Sequence, residues 1–202
     1  MRESLIRQIV EREWTMFSTV SNVGGPADCQ SDPASFAIMR QSQIGVWPEK
    51  LLESLLADLT AASLAGRNLM TEKYAWMMET SFPDEFKAVA DRLPTVDRET
   101  LALIGEIVAV NLEWKTELSA LYPHLSGRGR AIRARDAGAW ETSFETYLEG
   151  ELKTYSPHSL RILHEHTLEQ KKNGVNGAQE VLLGQVRQYG YSSLAEAEKA
   201  CR

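Results

Sequence analysis

Apolar residues recur along this chain at intervals of three and four, the spacing that lays a stripe along one face of a helix. No segment joins a β-branched run to a hairpin turn. The first stripe, Ile6, Ile9, Val10, Phe17 and Val20, predicts a helix over 3–20. The turn-rich SNVGGPADCQSDP at 21–33 reads as a loop. A short helix is expected over 34–47, ended by Pro48. An amphipathic one follows over 51–65, with Leu52, Leu55, Leu56 and Leu59 on one face and Gly66 as its stop. Another covers 71–80, and Ser81 and Pro83 open a helix that Pro94 closes. Asp97 is the natural cap of the longest helix, 98–121, which Pro123 ends. After a Gly- and Arg-rich connection at 126–138, helices are expected over 139–155, from Ser156–Pro157 to Asn173–Gly174, and from Asn176 onward. Ser192 or Ser193, with Glu196 closing a capping box, begins the last. The sum is an all-α fold, a bundle of about eight or nine helices forming a single domain over 1–202.

Against this pattern a few polar residues sit where core residues belong, and a buried polar group is costly unless partnered. Glu13 falls in the middle of the first stripe. Arg40 and Gln43 share a face with Phe36, Met39 and Trp47. In the long helix two apolar faces (Leu101, Ile104, Val108, Leu112 and Leu103, Ile107, Val110, Trp114, Leu118) cover more than half the circumference. Asn111 and Lys115 point into that arc, while Glu106, Glu113 and Glu117 lie opposite it. Glu151 belongs to the stripe of Trp140, Phe144, Tyr147, Leu148 and Tyr155. Two readings follow. In one, Glu13, Arg40, Gln43, Asn111, Lys115 and Glu151 converge on an interior ligand cavity. Arg40 then holds a carboxylate or phosphate by its fork, and a desolvated Glu or Lys serves as acid or base. In the other, they form buried ion pairs, Arg40 with Glu13 and Lys115 with Glu151, that only fix helix register.

Composition narrows the partners. The chain has 202 residues and a formal net charge of -6, which disfavours nucleic acid and an anionic membrane surface. No apolar run approaches the length of a membrane span. The charged first 14 residues lack the apolar stretch of a signal peptide, and two distant cysteines, Cys29 and Cys201, form no disulfide framework. A cytoplasmic location is expected.

Other candidates are weaker. Cys29, in the Gly-rich loop, is a nucleophile candidate with no histidine near it in sequence, so an idle thiol is the plainer reading. His164 and His166, two apart on a helix, point too far apart to chelate one ion. His164 reads as a core histidine, with metal ligation alongside Glu13 and Glu151 as the remote option. Arg128, Arg130, Arg133 and Arg135, with Gly127 and Gly129, make the one basic patch. It is either a solvated loop or a phosphate contact. No P-loop, dinucleotide-binding glycine motif, HExxH or GxSxG is present.

The segments NVGGPADCQ, FAIMRQSQ with Trp47, GRNLMTEKYAWMM, TSFETYLEGELKTYS and the late NG-N and YGY stretch resemble a bacterial family, domain-of-unknown-function family 4125. The resemblance spans nearly the whole chain. It places Asn22, Gly24, Gly25, Cys29, Gln30, Arg40, Gln43, Trp47, Lys73, Tyr74, Glu151 and Tyr155 in signature segments, and it implies no activity. This chain has Pro26 where the family pattern implies Arg, which puts that position's role in doubt here.

The leading expectation is an enzyme acting on a small carboxylate-bearing metabolite such as an amino acid, by lyase or hydrolase chemistry without an organic cofactor. Arg40, Gln43 and Asn111 would hold the substrate beside Trp47 and Tyr155. Glu13, Lys115 and Glu151 would move protons, and Asn22, Gly25, Cys29 and Gln30 would form the lid. A non-catalytic module is the alternative. It would bind a small molecule, or a partner through an exposed apolar face around Met70, Trp76 and Met77. A metal-dependent helical enzyme is the third. A homo-oligomer is compatible with each.

Overall fold

The computed structural model describes residues 1–21, 28–138 and 141–202, and among them every regular element is helical. The described residues form eleven α-helices, nine of them of seven residues or more. Six close a ring: α1 (Arg2–Phe17) packs on α3 (Glu49–Leu64), α3 on α9 (Pro157–Lys172), and α9 on α6 (Arg98–Leu121). The ring continues from α6 to α8 (Phe144–Leu152), from α8 to α4 (Leu69–Ser81), and from α4 back to α1. Two more, α2 (Pro33–Ile44) and α10 (Gly177–Gln188), pack on each other and bridge α1 to α6. Ile9, Ile44, Leu51, Leu52, Leu55, Leu59, Ile107, Leu152 and Leu160 are all but sealed from solvent inside the larger core. No helix among the described residues is long and apolar enough to cross a membrane.

The capping residues set these boundaries. Asp97 accepts from Thr100 N–H at 2.8 Å, and Asn176 from Gln179 N–H at 3.0 Å. Gly66 and Gly174 end their helices at positive φ (70° and 68°), a region costly for residues with a Cβ. Ser193 caps α11 (Leu194–Ala200), and Glu196 reaches back to the N–H and hydroxyl of Ser192.

Several elements differ from the periodicity. The helix expected from Pro83 to Pro94 shrinks to α5 (Pro83–Lys87) and a 3-10 turn at Ala90–Arg92. None of their residues is buried, so nothing supports a longer helix. Pro123 ends α6 but also opens α7 (Pro123–Ser126). α8 starts at Phe144, not near 139, because Ser143 caps it, and the carbonyls of Ala131 and Ile132 accept the Phe144 and Glu145 N–H groups. α1 stops at Phe17, where a turn through Val20 N–H and side chains together take its last carbonyls. Asn68 donates to Met16 O at 2.8 Å and Gln30 to Phe17 O at 3.0 Å. Met70 and Met77 are buried in the packing of α4, so of the apolar face expected at Met70, Trp76 and Met77 only Trp76 is part-exposed. Met39 (52 % exposed) and Leu101 (44 % exposed) lie outside, not on the core faces assigned to them.

Candidate functional site

Glu13 on α1, Lys73 on α4 and Glu151 on α8 come from three successive helices of the ring, and Arg40 reaches between them from α2. All four are buried. The Arg40 guanidinium grips Glu13 by its fork, Nε to Oε2 and Nη2 to Oε1, each 2.6 Å. Its Nη1 donates to Glu151 Oε1 at 2.8 Å, and Nη2 also donates to the Tyr155 hydroxyl at 3.3 Å. Glu151 Oε1 further accepts from Tyr155 at 2.7 Å and Gln43 at 3.2 Å, while Lys73 Nζ holds Oε2 at 2.6 Å. Trp47 closes one side, its ring 5.8 Å from Arg40 Cζ and edge-on to Tyr155 at 6.3 Å.

Burial alone would neutralise such groups, and pairing reverses that. Burial raises the Glu151 carboxyl, but Arg40 and Lys73 outweigh it and hold it well below the usual carboxylate range. Burial disfavours the charge on Lys73 and on Arg40. The facing carboxylates overcome it, and both are raised. Tyr155 is driven up by burial and then by Glu151, so it stays a neutral donor. Two carboxylates thus face two cations. The void beside them, lined by Glu13, Lys73, Glu151 and Tyr155 with Leu55, Leu59, Leu69 and Met70, is about 10 Å³, room for roughly one water.

Glu13, Arg40, Gln43, Trp47, Glu151 and Tyr155 therefore meet. Asn111 and Lys115 do not join them. Asn111 turns back to donate to Ile107 O on its own helix at 2.9 Å. Lys115 lies 4.9 Å from the Phe144 ring centre with no carboxylate partner among the described residues, its pKa lowered by burial. Lys73, not Lys115, pairs with Glu151. Helical faces missed Lys73, although the family resemblance included it. The readable signal was the i, i+4 row Leu69, Lys73 and Met77, all three buried. Asn22 and Gly25 lie outside the described residues. Cys29 is exposed, and Gln30 ties the chain to Phe17 O and Val20 O. His164 is on the outer α6–α9 seam, 2.7 Å from Glu106, away from Glu13 and Glu151. No three His, Cys, Asp or Glu side chains gather for a metal among the described residues.

Neither the curated proteins nor the solved structures contain a match to this chain. A family model, described as "Protein of unknown function (DUF4125)", matches residues 3–199, nearly the full length. By that match the chain belongs to the DUF4125 family of proteins of unknown function.

Proposed function

We propose that this chain is a non-catalytic binding module in which the interior charge cluster serves as a scaffold. The observation that supports this reading is the internal pairing of Glu13, Arg40, Glu151 and Lys73 around a void of about 10 Å³. A metabolite pocket is roughly 300–1,000 Å³. The protonation states point the same way. Acid–base catalysis calls for groups that titrate near the working pH, whereas Glu151 is held ionised and Lys73 protonated. The cluster instead fixes the register of α1, α2, α4 and α8, a role in which loss of one partner strands a buried charge.

A second reading keeps the interior as a carboxylate receptor, favoured by the fork of Arg40 on Glu13, the geometry a substrate carboxylate would take. Thermal-shift titration of wild type and Glu13→Gln with a panel of small carboxylates separates the two. The scaffold reading expects Glu13→Gln to lower stability by about 3–5 kcal/mol. It also expects any carboxylate-induced rise in the midpoint to survive the substitution. A rise seen in wild type and abolished in Glu13→Gln would transfer the site to the interior. Tyr155→Phe, which removes one neutral contact of Arg40 and one neutral donor to Glu151 but strands no charge, repeats the comparison in a less perturbed protein.

A further inference from the structure

The chain of charges does not end in the core. Lys73 Nζ sits 3.6 Å from the centre of the Tyr147 ring, and the Arg130 guanidinium covers that same ring, its Cζ 5.3 Å from the centre. Arg130 is exposed, on the connection between α7 and α8, and is held in place by donating through Nη1 to Thr142 O at 3.2 Å. Tyr74 follows Lys73 on α4. Its hydroxyl is pushed up to about 12, first by burial and then by Tyr147, with Lys73, Cys29 and Arg130 also acting on it. Tyr147, Arg130 and Cys29 therefore all act electrostatically on Tyr74, and Arg130 and Lys73 both contact the Tyr147 ring where the buried network approaches the surface.

Among the described residues this corner has donors to spare and no carboxylate paired with its exposed arginine. Among the described residues neither the Tyr74 nor the Tyr147 hydroxyl has a hydrogen-bond partner, and no carboxylate lies within ion-pair distance of Arg130, Arg128 or Arg133. The connection at 126–138 carries four arginines against one aspartate in a chain whose net charge is -6. A guanidinium has five N–H donors in a planar fork, and among the described residues Arg130 makes one bond. Stacking on Tyr147 removes much of the rotamer freedom that an exposed arginine normally loses on binding, which lowers the cost of capture. Neutral phenols beside it donate rather than repel.

We infer that the corner formed by Tyr74, Tyr147 and Arg130 is a binding site for the oxyanion, carboxylate or phosphate, of a small metabolite. Arg130 supplies the charged fork and the two phenols supply lateral hydrogen bonds. Lys73 lies beneath Tyr147, already paired with Glu151, and contributes field rather than contact. The inference rests on the binding-module reading but is independent of it in test, because its residues lie outside the Glu13–Arg40 fork.

Titration calorimetry at physiological ionic strength with inorganic phosphate and, separately, succinate tests it. Wild type, Arg130→Gln, Tyr147→Phe and Arg128→Gln are compared, each checked for an unchanged melting midpoint. Saturable binding is expected for at least one probe, and the stronger one identifies phosphoryl or carboxylate as the ligand class. Arg130→Gln should weaken it at least about tenfold, as loss of a charge-assisted bidentate contact does. Tyr147→Phe, which keeps the ring, should weaken it less, and Arg128→Gln should leave it within about twofold, since general field effects are small and screened by salt. Absence of saturable binding to both probes overturns the inference, as does equal weakening by Arg128→Gln and Arg130→Gln. Neither result touches the Glu13→Gln comparison, which judges the scaffold reading alone.

Discussion

Glu151 has four neighbours donating to its two oxygens: Arg40, Gln43, Tyr155 and Lys73. That density decides how the protein responds to acid. The folded-state pKa lies below the unfolded value despite burial, because Arg40 and Lys73 both favour the ionised form. Stabilisation from such a group is fully present above the unfolded carboxyl value, about 4.3, and is lost as pH falls through the folded value. Lys73 mirrors it at the other end. Its raised pKa leaves its contribution intact below the unfolded lysine value, about 10.4, and lets it go only as pH rises beyond that. Urea unfolding across pH should therefore show a plateau through neutrality and a fall below about pH 4. Glu151→Gln should be less stable on the plateau, with a shallower acid limb. An acid limb of unchanged slope in that variant would mean that other carboxylates govern the transition.

The pairing of Lys73 with Glu151 depends on how closely α4 and α8 approach, and Gly150 sets that distance. A Cβ placed there would lie 2.7 Å from Met77 Cγ and 2.9 Å from the Lys73 carbonyl oxygen. The first neighbour is a flexible side chain, but the second is backbone, so the helices would have to part. Gly150→Ala should cost about 1–3 kcal/mol, the usual range for overpacking. Because it also loosens Lys73 from Glu151, its effect should overlap that of Lys73→Met in a double-mutant cycle. Strict additivity of the two would separate the helix spacing from the ion pair. Elements of this kind also mark where sequence reading succeeds and stops. Glu13, Arg40 and Glu151 were legible because each shares a face with apolar residues of its own segment. Lys115 was misplaced because α6 is apolar around more than half its girth. A residue at the edge of so wide an arc can meet the Phe144 ring as readily as a carboxylate. A helical wheel gives a side chain's direction about its own axis, not the neighbour it meets. Only the ring order α1, α4, α8 explains why Glu151 found Lys73.

At the scale of the molecule, α6 runs through two apolar cores. Its Ile104, Ile107, Val108 and Leu112 belong to the larger one, while Val110, Trp114 and Leu118 join Ala178, Val186, Leu194 and Ala197 in a smaller one under α10 and α11. The charge cluster lies wholly with the larger core. The smaller is fastened by a different device. Glu198 of α11 accepts from the backbone N–H groups of His124 at 3.0 Å and Leu125 at 2.8 Å, satisfying the start of α7 from outside. Elements with few long-range ties open locally before the whole molecule unfolds. Glu198→Ala should therefore speed amide exchange in α7 and α11 while α1, α3 and α9 keep their protection. The midpoint of global unfolding should move little, since the removed contact holds only the smaller core. The two cores share one helix, so the alternative is concrete. If exchange accelerates equally in all helices, α6 transmits the loss and the bundle unfolds as one unit. If it stays confined to α7 and α11, the Arg40 cluster and the Tyr147 corner stand on a framework that the C-terminal helix can leave without disturbing.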